Sequence, residues 1–267
     1  MSALELIDRW PVDHAAAVVI TAEGIVETRG DIHRPYPLAS VTKLLTTYAT
    51  LVALEEGAVT LDEPAGPATV RHLLAHASGI AFEERRTLAP PGRRRIYSNV
   101  GFDVLGEHLG AATGLDPAVY IAQAVFQPLA MTATVGGSLA KAAIGCAVDM
   151  AKFAAELMQP TLLDRSTLTT ATTVQFPGID GVLPGFGRQS PNDWGLGFEL
   201  RSRKSPHWTG SRNSPSTFGH FGRSGTFVWV DPTGPLALVC LTDRAFDDWA
   251  KAAWPTLSDA VLDRWRQ

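Results

Sequence analysis

The sequence predicts an α+β fold, an antiparallel sheet built from both chain ends and flanked by helices, with a helical region inserted between those ends. Two observations lead to it. β-rich runs occur near the start, in "AAAVVITAEGIVETRGD" (15–31), and return only late, in "WGLGFEL" (194–200) and "TFVWVDPTGPLALVCLTD" (226–243). The text between them alternates helical periodicity with turns. A chain of 267 residues can bury a full-sized core. A single unit over 1–267 is expected, with a sheet-bearing part from 1–62 and 205–267 and a helical part from 63–204.

Each element has its own signal. Val18–Thr21 and Ile25–Thr28 read as a hairpin joined through Glu23-Gly24. The proline-broken "DIHRPYPLA" then leads into a helix from about Ser40 to Glu56. Leu44, Leu45, Tyr48, Leu51, Val52 and Leu54 line one side of that helix, and Gly57 stops it. "TVRHLLAHASGI" predicts a helix ending near Ser78-Gly79, and "SNVGFDVLGEHLGAATG" another ending at Gly114. "PAVYIAQAVFQPL" and "AVDMAKFAAELMQP" add two more. The glycine- and proline-rich stretch 174–194 reads as a surface loop. Asp231-Pro232-Thr233-Gly234 joins the last two strands. The end, from about 246 to 266, reads as helix, with Pro255 a break or a fresh first turn.

Composition narrows the function classes. The apolar fraction of 45%, charged fraction of 19% and net charge of −4 are those of an ordinary globular protein, with no electrostatic footprint for nucleic acid or an anionic membrane. No apolar run reaches membrane-spanning length, and "MSALELIDRWPVDH" lacks the basic and apolar regions of a signal peptide. A soluble, cytoplasmic protein is expected. Cys146 and Cys240 lie far apart among apolar neighbours and read as buried free thiols, one disulfide being the alternative. His72 and His76 share helical spacing, but no glutamate follows His72 and no third ligand is evident, so no metal is expected. Arg29-Gly30-Asp31 reads as a hairpin end, and the three arginines of "PPGRRRIY" as a solvated loop. Trp194 and Trp229, near the last strands, are candidates to wall a pocket.

The chemistry centres on Ser40-Val41-Thr42-Lys43. Residues i and i+3 share a helix face, so the Ser40 hydroxyl and the Lys43 amine can meet. Serine needs an adjacent base to act as a nucleophile, and lysine becomes one when its ammonium form is disfavoured. Taken alone, the four residues read first as a helix cap followed by a solvated lysine. Two further stretches turn that reading around: Tyr97-Ser98-Asn99 within "PPGRRRIYSNVGF", and His220-Phe221-Gly222 within "FGHFGRSGTFVWVDP".

S-x-x-K with two such partners marks penicillin-recognising serine enzymes. This set resembles the class C branch, where Y-[SA]-N and His-x-Gly stand as second and third motifs. The chain is similar to β-lactamase-related serine hydrolases, a group of class C β-lactamases, D-Ala-D-Ala carboxypeptidases, D-aminopeptidases and family VIII esterases. The resemblance extends along nearly the whole chain, through "TVRHLLAHASGI", "WGLGFEL" and "LVCLTDR". It implies a β-lactamase/transpeptidase-like fold without cofactor or metal. It also implies Ser40 as acylated nucleophile, with Lys43 and Tyr97 as its acid/base partners and lysine stabilising the phenolate. Asn99 would face the substrate's acyl side chain, and Gly222 would let substrate backbone pass close. The N–H groups of Ser40 and Arg223 would form the oxyanion hole. His220, titrating near neutrality, replaces a permanent cation, and Phe221 replaces a hydroxyl that binds carboxylate. Both changes turn the expectation from β-lactams and D-peptides toward uncharged acyl esters or amides, with Arg223 as the group that could restore carboxylate binding.

Overall fold

The computed structural model describes residues 2–136 and 138–266. Six strands form the main sheet: β1 (Ala15–Thr21), β2 (Gly24–Arg29), β3 (Glu199–Leu200), β4 (Phe218–Gly222), β5 (Thr226–Asp231) and β6 (Leu236–Thr242). Their order is β2-β1-β6-β5-β4-β3, antiparallel throughout. The N-terminal hairpin therefore pairs with the C-terminal one, Val18 opposite Val239. Strand β3 lies outside the segments expected to supply the sheet and completes its edge beside β4.

Both faces of β1 are covered, which explains its unbroken apolar run. Ala16, Val18 and Ile20 face one cluster, which includes α1 (Thr42–Glu55), α2 (Asn99–Thr113) and α3 (Ala147–Met158). Ala17 and Val19 face the other, with Leu4, Ile7 and α4 (Asp248–Trp265) through Trp254, Leu257 and Val261. Each fully buried Val or Leu contributes about 1.5–3 kcal/mol by leaving water. No helix among the described residues is long and apolar enough to cross a membrane.

Helix α1 departs from the expected one-sided pattern. Its residues from Thr42 to Leu51 are all buried, so it runs through the molecule rather than along its surface. Most of its polar side chains are satisfied internally: Thr46 Oγ1 donates to Leu139 O (2.7 Å) and Tyr48 Oη to Glu156 Oε1 (2.6 Å), while Thr47 Oγ1 has no partner. Lys43 shares this burial, which decides its chemistry below.

Other expectations are corrected. The helix foreseen over 69–80 is a short turn, Val70–Leu74, and His76 has φ +52°, so His72 and His76 do not stack on one face. Residues 174–194 contain a hairpin, Gly181–Leu183 with Gly187–Gln189. The 194–200 strand shrinks to two residues because Gly197 turns at φ +70° against α1, where a Cβ would lie 1.8 Å from Thr47 Oγ1. Arg95 is buried and donates to the carbonyls of Ala75 (2.5 Å), Gln175 (2.7 Å) and Asn192 (3.0 Å), so of the three arginines only Arg93 and Arg94 face solvent. Pro255 sits within continuous α4. Both cysteines are free and buried.

Candidate active site

Ser40 lies in a 3₁₀ turn, Ala39–Val41, that runs into α1. Ala39 before it has φ +46°, a conformation that costs a non-glycine residue free energy and that its surroundings must enforce. They do so from distant parts of the chain. Thr226 Oγ1 donates to Leu38 O at 3.0 Å, Ser224 Oγ to Pro37 O at 2.5 Å, and Leu38 N to Ala143 O at 2.9 Å.

Gly222 belongs to this bracket. A Cβ there would lie 2.4 Å from Leu38 O and 3.1 Å from Ala39 Cβ. The close approach seen at this glycine is that of the serine's own segment.

Lys43 is fully buried one turn beyond Ser40. Its Nζ donates to Asn99 Oδ1 (2.6 Å) and Ala140 O (2.7 Å), and lies 3.4 Å from Ser40 Oγ. Burial pulls its pKa down to about 7, with Asp103 and Glu83 opposing and Lys141 assisting. A neutral amine has two N–H groups and one lone pair. In that form both N–H groups can keep the two oxygen acceptors while the lone pair faces the serine; in the ammonium form the third N–H takes its place.

Tyr97 precedes the cap of α2. Ser98 Oγ accepts from Gly101 N (2.9 Å) and donates to Ala81 O (2.7 Å), while Ser98 N donates to His76 Nδ1 (3.2 Å). The His76 ring packs on Tyr97 at 4.5 Å, and Lys43 Nζ sits 4.8 Å from the centre of the Tyr97 ring. The lysine nitrogen thus lies over the ring face. Burial pushes the phenol's pKa up, countered in part by Ser40, so Tyr97 keeps its proton; its buried hydroxyl completes no hydrogen bond. Burial thus disfavours the phenolate expected from the sequence and brings the Lys43 amine near neutrality.

Asn99 does not line the cavity beside Ser40, contrary to the role expected for it. Its amide is spent on Lys43 at one end and on Glu83 Oε1 at the other (2.7 Å). His220 does line the cavity, yet it is not a group that titrates near neutrality. Burial, then the nearby Lys43, pull its pKa to about 3. Its Nδ1 lies 2.7 Å from Phe221 O, so that nitrogen carries the proton.

The cavity has a volume of about 270 Å³. Ser40, Tyr97, His220 and Arg223 share it with an apolar wall of Phe82, Leu183, Trp194, Phe221 and Phe246. Trp229 is elsewhere, under α4, with Nε1 donating to Ser258 Oγ at 3.1 Å. Leu183 belongs to the hairpin read from sequence as a plain loop, and Phe246 follows the last strand; neither carries a local signal that could have marked it as lining the site.

A buried ionic cluster that no sequence pattern indicated reaches the cavity lining through Glu199. Glu199 pairs with Lys204 through Oε1, and its Oε2 accepts from His207 Nε2 (2.9 Å) and Trp208 Nε1 (2.8 Å). Lys204 also donates to Asp193 O and Leu200 O, both at 2.6 Å. The three partners of Lys204 can only accept and so call for an ammonium, whereas the third partner of Lys43, the Ser40 hydroxyl, can also donate. Burial alone would raise the Glu199 carboxyl, but its cationic neighbours hold it below the usual range.

A model of the Beta-lactamase family matches residues 31–262. The chain belongs to that family. A solved structure from Mycobacterium bovis, described as a beta-lactamase, is 53% identical over 100% of both chains, with a TM-score of 0.98. EstCE1, described as a hydrolase with promiscuous acyltransferase activity, shares the fold at 16% identity, with a TM-score of 0.82 over 97% of this chain and 96% of its own. The monacolin J acid methylbutanoyltransferase of Aspergillus terreus is 29% identical over 38% of this chain, and the match spans 38% of that relative's length. The β-lactamase/transpeptidase-like fold expected from the motifs is the one observed.

Within this family fold, the bracket around Ser40 makes a direct prediction. Gly222→Ala is expected to displace Leu38–Ala39 and slow Ser40 labelling by a fluorophosphonate about tenfold to a hundredfold. Unchanged labelling kinetics would show that the bracket does not position the serine.

Proposed function

We propose that the protein is a serine hydrolase that forms an acyl-enzyme on Ser40 and acts on small, uncharged, apolar acyl esters or amides. The observation that carries this reading is the hydrogen bonding of Lys43, whose two acceptors leave its lone pair for the serine hydroxyl. Ser40 Oγ attacks the acyl carbonyl carbon while Lys43 takes its proton. The backbone N–H groups of Ser40 and Arg223 receive the developing oxyanion. Tyr97, which keeps its proton, gives it to the leaving oxygen or nitrogen and is reprotonated from Lys43. Water then attacks the acyl-enzyme by the same transfers in reverse, releasing the acid and restoring Ser40.

Substrate class follows from the wall. With His220 neutral and Phe221 unable to donate a hydrogen bond, an anionic acyl group loses both anchors named for it in the sequence, and burying an unpaired carboxylate is costly. An apolar acyl chain instead meets Phe82, Leu183 and Phe246. Hydrolysis of β-lactams is a second reading, supported by Arg223 at the cavity and by the description of the Mycobacterium bovis relative.

An assay with p-nitrophenyl butyrate and nitrocefin separates the two. Turnover of the ester is expected with little of the lactam. Its kcat/KM should fall about tenfold per pH unit below about 7, as Lys43 gains a proton and ceases to be a base. Nitrocefin hydrolysis with no ester burst or turnover would overturn the ester preference.

A further inference from the structure

Glu83 and Lys141 have no part in the reaction above, yet they close a ring of contacts around Lys43. The amine donates to Asn99 Oδ1 and to Ala140 O; Asn99 Nδ2 donates to Glu83 Oε1 at 2.7 Å; and Lys141, the residue after Ala140, reaches both Glu83 oxygens at 3.1 Å. We propose that Glu83 is a positioning residue for Lys43, acting through Asn99, and that the Glu83–Lys141 pair is a surface handle on the amine's orientation and charge. This rests on Lys43 serving as the base for Ser40.

Orientation depends on what each group can donate. A carboxylate only accepts, so Asn99 must turn its NH₂ to Glu83 and its oxygen to Lys43. The flipped amide would set donor against donor at Lys43 and carbonyl against carboxylate at Glu83. Lys43 would then lose one of the two acceptors that aim its lone pair. Lys141 holds the other side of the ring, since its backbone neighbour Ala140 supplies the second acceptor. Both charged side chains are 49% exposed, and an ion pair that open to water contributes little to stability. Its remaining effects are on geometry and on the field at the amine.

The charged groups facing Lys43 come from separate segments. Asp103 on α2 and Glu83 favour the ammonium, and Lys141 disfavours it. Tyr97, His76 and His220 surround it but are held neutral by burial. Removing Glu83 and removing Lys141 should therefore move the amine's titration in opposite directions, a pattern that loss of packing does not produce.

The test follows the pH dependence of Ser40 labelling by a fluorophosphonate, and of p-nitrophenyl butyrate kcat/KM, in wild type, E83A, E83Q and K141M. E83A should lower the pH-independent limit about tenfold, and E83Q, whose amide oxygen can still accept from Asn99, should recover most of that loss. The acid limb should move down by roughly half a pH unit in E83Q and up by a similar amount in K141M. An E83A limit within about twofold of wild type, or limbs that shift in the same direction, would overturn the proposal. Wild-type protein that is not labelled on Ser40 would overturn the acyl-enzyme reading itself, and this inference with it.

Discussion

Ser40→Ala is expected to lose all fluorophosphonate labelling and at least about 10³-fold in ester turnover. The reason is geometric. Lys43 Nζ lies 3.4 Å from Ser40 Oγ, and its other hydrogen bonds go to Asn99 and Ala140, which are not nucleophiles. Folding should be nearly unaffected, because Leu38, Ala39 and α1 hold the segment through backbone and Thr226 contacts that the substitution leaves intact. The variant thus separates chemistry from stability. Persistent labelling in Ser40→Ala protein would place the nucleophile elsewhere and remove the basis of the hydrolase reading. An unlabelled wild type with a normal melting curve would favour a binding protein that keeps the fold without turnover.

Lys204→Met should destabilise the protein more than any of the other substitutions above. It leaves Glu199 buried and charged with its closest cation gone, and it releases the carbonyls of Asp193 and Leu200. Breaking such a pair from one side costs about 3–5 kcal/mol, because the remaining charge is uncompensated. For a chain of this size that corresponds to a fall of about 10 °C in melting temperature. The double variant Glu199→Gln/Lys204→Met should recover part of the loss, since no lone charge remains. pH provides a second check. The Glu199 carboxyl has a lowered pKa in the folded state, so its contribution is present above the ordinary value of 4.5 and is lost as pH falls through the folded value. A Lys204→Met midpoint within about 1 kcal/mol of wild type would show that the cluster does not hold the cavity wall together.

Much of the fold could be read in one dimension because its signals are local. The hairpin through Glu23-Gly24, the stop of α2 at Gly114 and the turn at Asp231–Gly234 depend on residues a few positions apart. Structure and sequence pattern part where distant contacts override local preference. Residues 75–80 leave the helix as the chain turns at His76 and packs its ring on Tyr97. Gly197 bends because α1 lies against it. Arg95 is buried because three carbonyls from remote segments converge on it. Glu83, Lys141 and Lys204 carried no signal, since a charged residue in a loop looks the same whether it faces water or closes a buried network.

By itself the sequence determined that the N-terminal and C-terminal hairpins supply most of the sheet and that three motifs, at Ser40, Tyr97 and His220, stand in the order of a β-lactamase-related enzyme. Only the tertiary structure decided the state of those groups. Protonation depends on desolvation and on charges from other segments, and neither is a property of neighbours in sequence. Two lysines with the same intrinsic pKa therefore end in opposite roles. Lys204 meets three acceptors, one of them a carboxylate, and stays an ammonium, while Lys43 meets two acceptors and a hydroxyl and becomes an amine near neutral pH.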